Sequence, residues 1–194
     1  MTRVVLIGGT SNTGKSTIAR EVAERLGYAY RSTDKIARHP GRPWRTAERE
    51  VPPHVARHYA MFTPDELLTA VLRHYERMWP RIETLVRSAD GLVLEGSGVW
   101  PERVAAVDLP GTYAVWLTAD PAVIRSRIRD GGRYAEAGPY ERLLMDKFLA
   151  RSLRYQDRMR DAVERHGLAR LDVTGRSVEK SVRAVLDGAA KMGP

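Results

Sequence analysis

The chain opens on an uninterrupted apolar run, Val4-Val5-Leu6-Ile7, and further short strand candidates, some interrupted by charged residues, follow at Gly27–Arg31, Leu92–Glu95, Tyr113–Leu117 and Ala169–Val173. Short stretches rich in β-branched and aromatic residues read as strands, and a run apolar at every position reads as a strand buried on both faces. Between them the apolar positions recur every three or four residues, the period of a helix. Ile18 to Leu26 has this spacing, with Gly27 where a helix stops. Leu67, Leu68, Val71, Leu72, Tyr75, Met78 and Trp79 form the apolar face of a long helix. It starts near Thr63, where Thr-Pro-Asp-Glu supplies a cap and a proline at the first position. Asp120-Pro121 opens another helix, and Gly131-Gly132 closes it. Gly131 to Pro139 reads as a mobile loop, followed by a long helix from about Tyr140 to Arg165. After the last strand, Thr174 to Ser177 makes a turn and cap before a final amphipathic helix.

Alternating strands and helices predict an α/β domain with a parallel sheet and helices on both faces. One segment breaks the alternation. From Asp34 to about Ala89 the chain runs through a polar, Pro- and Trp-containing stretch, Arg38 to Arg45, and then into the helix from Thr63. It reads as a helical insert between the second and third strands of one domain spanning residues 1–194.

The densest chemistry follows the first strand. Residues Gly9 to Thr17 read Gly-Thr-Ser-Asn-Thr-Gly-Lys-Ser-Thr, the phosphate-binding loop pattern in its strand-to-helix context. Gly9 and Gly14 permit backbone angles that turn successive N–H groups inward onto phosphate oxygens. Lys15 supplies a mobile positive charge, the Ser16 hydroxyl suits a Mg²⁺ ion, and the helix beginning near Lys15 adds the positive end of its dipole.

Ligands in open parallel sheets lie beyond the carboxyl ends of the strands, so acidic residues there stand out. Asp34 follows the second strand. It suits either a base that takes or orients a hydroxyl proton, or a cap for a helix beginning at Lys35. Glu95 ends the third strand and suits either a magnesium site, where Asp is the commoner residue, or a solvated strand end. Gly96 and Gly98 after it would let a ligand approach the backbone. Arg125, Arg127, Arg129 and Arg133 cluster before and within the Gly-Gly loop. A closing arginine would stabilise charge spread over a transferring phosphoryl group, and Arg129 and Arg133 are the candidates. Arg151 and Tyr155 share a helix face, either toward an anionic acceptor or toward solvent. Trp44, in a polar loop, is placed to stack on a substrate ring or sugar. His54 and His58 are spaced like metal ligands but have no third partner.

Composition narrows the classes. The chain of 194 residues has no cysteine, which excludes disulfides and thiolate metal sites. The net charge is +8, yet arginines interleave with carboxylates, and lysine occurs only at 15, 35, 147, 180 and 191. That pattern fits solvated helix faces and anionic ligands rather than a nucleic-acid partner. No apolar run is long enough for a secretory core or a membrane span, so a cytoplasmic protein is expected.

Ile7 to Ala19, the Thr33-Asp34 pair and Leu94-Glu95-Gly96 together resemble 2-phosphoglycerate kinase. The strand-end Asp, the Arg-bearing loop and the Arg151–Tyr155 spacing are similar to shikimate and gluconate kinases and chloramphenicol phosphotransferase, small-molecule kinases of the phosphate-binding-loop class. The resemblance implies a P-loop NTPase fold, with five parallel strands in the order 2-3-1-4-5, a helical substrate cap over 35–89 and an Arg-bearing lid over 129–140. It also implies ATP and Mg²⁺ as cofactors and transfer of the γ-phosphate to a hydroxyl of a small acceptor, by a monomer or homodimer. The site residues carried with it are Lys15, Asp34, Arg129 and Arg133 for catalysis. Gly9, Thr10, Ser11, Asn12, Thr13, Gly14, Lys15, Ser16, Thr17, Arg125 and Arg176 would hold the nucleotide. Asp34, Arg38, Arg42, Trp44, Gly96, Ser97 and Arg151 would hold the acceptor, and Ser16 and Glu95 the metal. The competing readings are a nucleoside, nucleotide or polynucleotide kinase, and a non-catalytic ATP-binding regulatory module. The guanine-specific Asn-Lys-x-Asp sequence is absent.

Overall fold

The computed structural model of the protein describes residues 2–36, 41–46 and 50–191. Five strands form one parallel sheet: β1 (Val4–Gly9), β2 (Ala29–Ser32), β3 (Leu92–Glu95), β4 (Thr112–Thr118) and β5 (Ala169–Asp172). Their order is β2-β3-β1-β4-β5, the expected P-loop NTPase arrangement. Seven α-helices connect the strands among the described residues. They are α1 (Lys15–Leu26), α2 (Pro53–Met61), α3 (Pro64–Ser88), α4 (Pro101–Ala105), α5 (Pro121–Gly131), α6 (Pro139–Arg165) and α7 (Val178–Ala190). A single 3₁₀ turn covers Thr33–Lys35. No described helix is long and apolar enough to cross a membrane.

Strand alternation divides the interior into two cores. Val5, Ile7, Val93, Val115 and Leu117 point to one face, against α1, α5 and α7. Val4, Leu6, Leu92, Leu94 and Trp116 point to the other, against α3 and α4. β1 therefore has to be apolar at every position, because both of its faces are covered. Helix α6 belongs to both cores: its first half contributes Leu144, Met145, Phe148 and Leu149 to one, and its second half Tyr155, Met159 and Val163 to the other.

Local chemistry sets the element ends. Gly27 terminates α1 as its position predicts, in the left-handed region at φ 67°, with its N–H donating to the carbonyls of Ala23 and Glu24, and β2 begins two residues later than expected, at Ala29. Thr63 and Glu66 close a reciprocal capping box at the start of α3. The insert carries one helix beyond those expected, α2, which begins at Pro53 in the Pro-Pro stretch.

Gly8 illustrates how tightly the sheet is covered. It lies opposite Trp116 in β4, and a Cβ at Gly8 would stand 2.3 Å from the indole. The ring cannot yield, because it is fully buried and its Nε1 donates to the Val99 carbonyl at 2.8 Å. Gly8→Ala is therefore expected to destabilise the fold by about 1–3 kcal/mol. The measurement is the urea unfolding midpoint, which falls while the slope of the transition stays the same.

Candidate active site

Parallel pairing collects three chain segments at one edge of the sheet. Glu95 pairs in register with Ile7 of β1 on one side and Ser32 of β2 on the other. The loop after β1, the turn after β2 and the end of β3 are thus neighbours by construction. The loop, Asp34 in the turn, and Ser97 just beyond β3 border a cavity of about 470 Å³, along with Tyr75 from the insert, Phe148 from α6 and Arg127 from α5.

The loop has the conformation its glycines allow. Gly9 has φ 143°, and a Cβ there would meet the Leu117 carbonyl at 2.8 Å. Gly14 precedes α1 at φ 87°, and Asn12 also adopts a left-handed φ of 64°. Ser11 to Thr17 line the cavity. Thr10 does not; its hydroxyl turns away and donates to the Ser152 carbonyl of α6 at 2.8 Å. The Lys15 ammonium donates to the Thr10 carbonyl at 3.0 Å. Burial lowers the Lys15 pKa below that of an ordinary lysine, against the opposing pull of Glu95 and Asp34, while Arg42 and Arg151 add to the lowering.

Asp34 lies on the cavity wall. It does not cap the helical turn: Ser32 does, its hydroxyl accepting from the Asp34 N–H at 3.4 Å. The Asp34 carboxylate is exposed and makes no hydrogen bond or ion pair among the described residues. Glu95 is buried rather than solvated, at 3% exposure. Its Oε1 accepts from the Ser16 hydroxyl at 3.1 Å and from the Tyr30 hydroxyl at 3.0 Å. A hard divalent ion bound chiefly through substrate phosphates fits this pair, a hydroxyl and a carboxylate that no described cationic side chain ion-pairs. The described residues contain no cluster of three or more potential ligands that would form an all-protein cage.

The remaining candidates divide. Ser97, Arg42 and Arg176 line the same cavity, and the Ser97 hydroxyl also braces the loop by donating to the Gly9 carbonyl at 2.8 Å. Arg151 is neither solvated nor ion-paired among the described residues. It is 6% exposed, its guanidinium lies 4.5 Å from the Phe148 ring centre, and its Nε has no partner. Phe148 lines the cavity and Arg151 packs against its ring, so the guanidinium lies behind that part of the wall. Tyr155 donates to the Ser97 carbonyl at 2.6 Å, and burial pushes its hydroxyl pKa far above the ordinary value.

Several expectations need correction. Gly96 does not leave room for a ligand, because its missing Cβ would lie 1.8 Å from Thr33 Oγ1; Met78 fills the equivalent space at Gly98. Trp44 is a core residue at 2% exposure, packed edge-on against Phe148 at 5.0 Å, and so is not free to stack on a substrate. Of the α5 arginines, Arg127 faces the loop and donates to the Asn12 carbonyl at 3.1 Å, while Arg125 does not line the cavity. Residues two apart on a helix point about 200° apart, so only one of the two can face the loop. Arg129 and Arg133 are also turned away from it. Arg129 stacks on Tyr134 at 4.5 Å and pairs with Asp146 at 3.7 Å, and Arg133 pairs with Glu136. The loop carrying them is tied down further by the Tyr134 hydroxyl on Asp146 and by Arg142 on the carbonyls of Tyr134 and Ala135. Arg38 lies outside the described residues.

Sequence reasoning did not single out Tyr75, Phe148 or Tyr30. Nothing in the local sequence marks the first two as cavity residues, since both sit on apolar helix faces. Tyr30 had one available signal, its position two residues before Ser32 on the same strand face.

The family model described as "AAA domain" matches residues 5–143, more than half of the chain. The chain belongs to the AAA domain family. No curated protein sequence matches this AAA domain. Its fold recurs in solved structures of low identity. A gluconokinase from Sinorhizobium meliloti 1021 is 21% identical with a TM-score of 0.54, covering 98% of this chain and 93% of that one. A shikimate kinase from Bacteroides thetaiotaomicron is 15% identical, TM-score 0.54, covering 95% and 97%. A shikimate kinase from Acinetobacter baumannii, in complex with shikimate, is 16% identical, TM-score 0.51, covering 96% and 92%.

Lys15 gives this AAA domain a test of sign. Its folded-state pKa lies below the unfolded value, so below that lowered value the native state carries the full penalty of a buried ammonium. The penalty is relieved as pH rises through that lowered value toward the unfolded one. At neutral pH, Lys15→Met is expected to raise the melting temperature of the unliganded protein and to abolish the further rise produced by ATP. Thermal denaturation with and without nucleotide checks both.

Proposed function

We propose that the protein transfers the γ-phosphate of ATP to a hydroxyl of a small anionic acceptor, in the manner of a 2-phosphoglycerate kinase. One observation carries the reading: a single cavity joins the phosphate-binding loop to an Asp34 carboxylate that no described residue hydrogen-bonds or ion-pairs. The fold shared with proteins described as a gluconokinase and shikimate kinases supports a kinase of this architecture.

In this reading the loop N–H groups, Lys15 and Arg127 hold the donor phosphates, and Arg176 borders the nucleotide. Ser16 and Glu95 would hold Mg²⁺, which would neutralise the phosphate charge. Asp34 orients the acceptor hydroxyl and takes its proton as the oxygen bonds to the γ-phosphorus. The bond from that phosphorus to the bridging oxygen breaks, and ADP leaves. The acceptor's own negative charge would meet Arg42 on the wall and Arg151 behind it. A buried guanidinium without a carboxylate is expensive to keep, and an anionic ligand offsets that cost. The insert over 35–89 would then select the acceptor, and the segment 129–140 would act as a lid, bringing Arg129 or Arg133 over the phosphates only after leaving Asp146 and Glu136.

The acceptor is found by incubating the protein with ATP, Mg²⁺ and a metabolite extract, and identifying the phosphorylated species by mass spectrometry. A hydroxylated acid is expected; nucleosides or DNA ends as the sole acceptors would replace this reading. With the acceptor in hand, Asp34→Asn should lower kcat by about 10²–10⁴-fold while leaving ATP affinity intact in calorimetry. Arg151→Met should raise the acceptor KM by about three- to tenfold with the ATP KM less changed, the scale of a partly screened attraction from a charge that does not touch the acceptor.

A further inference from the structure

The geometry points to Tyr30 as the positioning residue for the metal-holding carboxylate, an inference that rests on the kinase reading above. A glutamate stands where an aspartate would reach the site with one fewer rotatable bond. The extra torsion has to be restrained if one oxygen is to be presented reproducibly. The structure supplies the restraint from two directions. Ser16 Oγ and the Tyr30 hydroxyl both donate to the same oxygen, Oε1, at 3.1 and 3.0 Å. Oε2 accepts no hydrogen bond from the described residues and is left for the ion or its water.

Tyr30 is itself fixed. It stands two residues before Ser32 on β2, and Ser32 pairs in register with Glu95. Its ring carries the Arg20 guanidinium at 5.2 Å, and Arg20 lies one turn beyond Ser16 on α1. The four residues form a closed circuit, from Ser16 through Glu95 and Tyr30 to Arg20 and back along the helix. Of this circuit only Ser16 lines the phosphate cavity; Glu95 stands directly behind it, and the Tyr30 hydroxyl one hydrogen bond further back, on Glu95. Its effect on the reaction passes through Glu95.

Tyr30→Phe removes the hydroxyl and keeps the ring on Arg20. ADP binding is measured by calorimetry across a magnesium titration, with an EDTA reference and no acceptor present. The wild type should bind ADP more tightly with Mg²⁺. Tyr30→Phe should match it in EDTA but need about 10–100-fold more Mg²⁺ for half of the tightening, the usual scale for losing an outer-shell partner. At saturating Mg²⁺ its kcat should return toward the wild-type value. Glu95→Asp retracts the carboxylate from Tyr30, so adding Tyr30→Phe to it should have no further effect on the magnesium requirement. An unchanged magnesium requirement in Tyr30→Phe overturns the inference. So does an equal loss of ADP affinity in EDTA, which would make Tyr30 merely a prop between β2 and α1, and so does additivity with Glu95→Asp. A wild type that binds ADP with no magnesium dependence overturns the metal assignment of Ser16 and Glu95 as well, a result separable from the others because it appears before any substitution.

Discussion

The burial of β1 on both faces is the constraint on which the rest of the molecule depends. A strand enclosed above and below by helices, and flanked on both edges by β3 and β4, can reach water only at its ends. Parallel pairing places the carboxyl ends of the neighbouring strands at that same exit. The register of Ile7 with Glu95, and of Glu95 with Ser32, carries the alignment across three strands. The loop therefore opens beside a buried carboxylate on β3 and within reach of the turn holding Asp34. No one of these residues needs a special local sequence to find the others.

The charges at this edge are arranged at the expense of the unliganded fold. Lys15 is held in a setting that disfavours its ammonium form, and Arg151 is buried on an aromatic ring without a carboxylate. Both are arrangements that a polyanionic ligand improves, which is how a site trades stability for binding. Buried hydroxyls add to the cavity wall without adding charge. Tyr75 of the insert lines the cavity and meets Tyr155 of α6 edge-on at 6.2 Å, and burial keeps both protonated. Tyr155 is committed to the Ser97 carbonyl and stiffens the wall from behind.

What was readable in the sequence followed periodicity and local chemistry. The strand runs, the loop between Gly9 and Thr17, and the parallel architecture all depend on neighbours a few residues apart. The placements that departed from expectation depend on contacts between distant segments. Gly96 looks like an opening until Thr33 is seen to fill it. Trp44 sits in a polar stretch, and core residues distant in sequence, Phe148 on a helix a hundred residues away among them, make its site apolar. The arginines of α5 are alike in sequence. Their separation into Arg127 at the loop and Arg125 away from it is a matter of helix rotation, and the ties on Arg129 come from Tyr134 and Asp146, contacts that spacing does not announce.

Helix α6 joins parts of the molecule that would otherwise be independent. Its first turns hold the Arg-bearing loop through Asp146 and Arg142, and further along it carries Phe148 and Arg151 behind the cavity and Tyr155 against Ser97. Asp146 and Arg151 are little more than one turn apart on the same rigid rod. Whatever free energy passes along that rod from loop to wall passes equally from wall to loop, because linkage between two equilibria is symmetric. An occupant that favours one position of α6 by its contact with Arg151 would then change how firmly the loop is tethered, and release of the tether would change that occupant's affinity by the same factor.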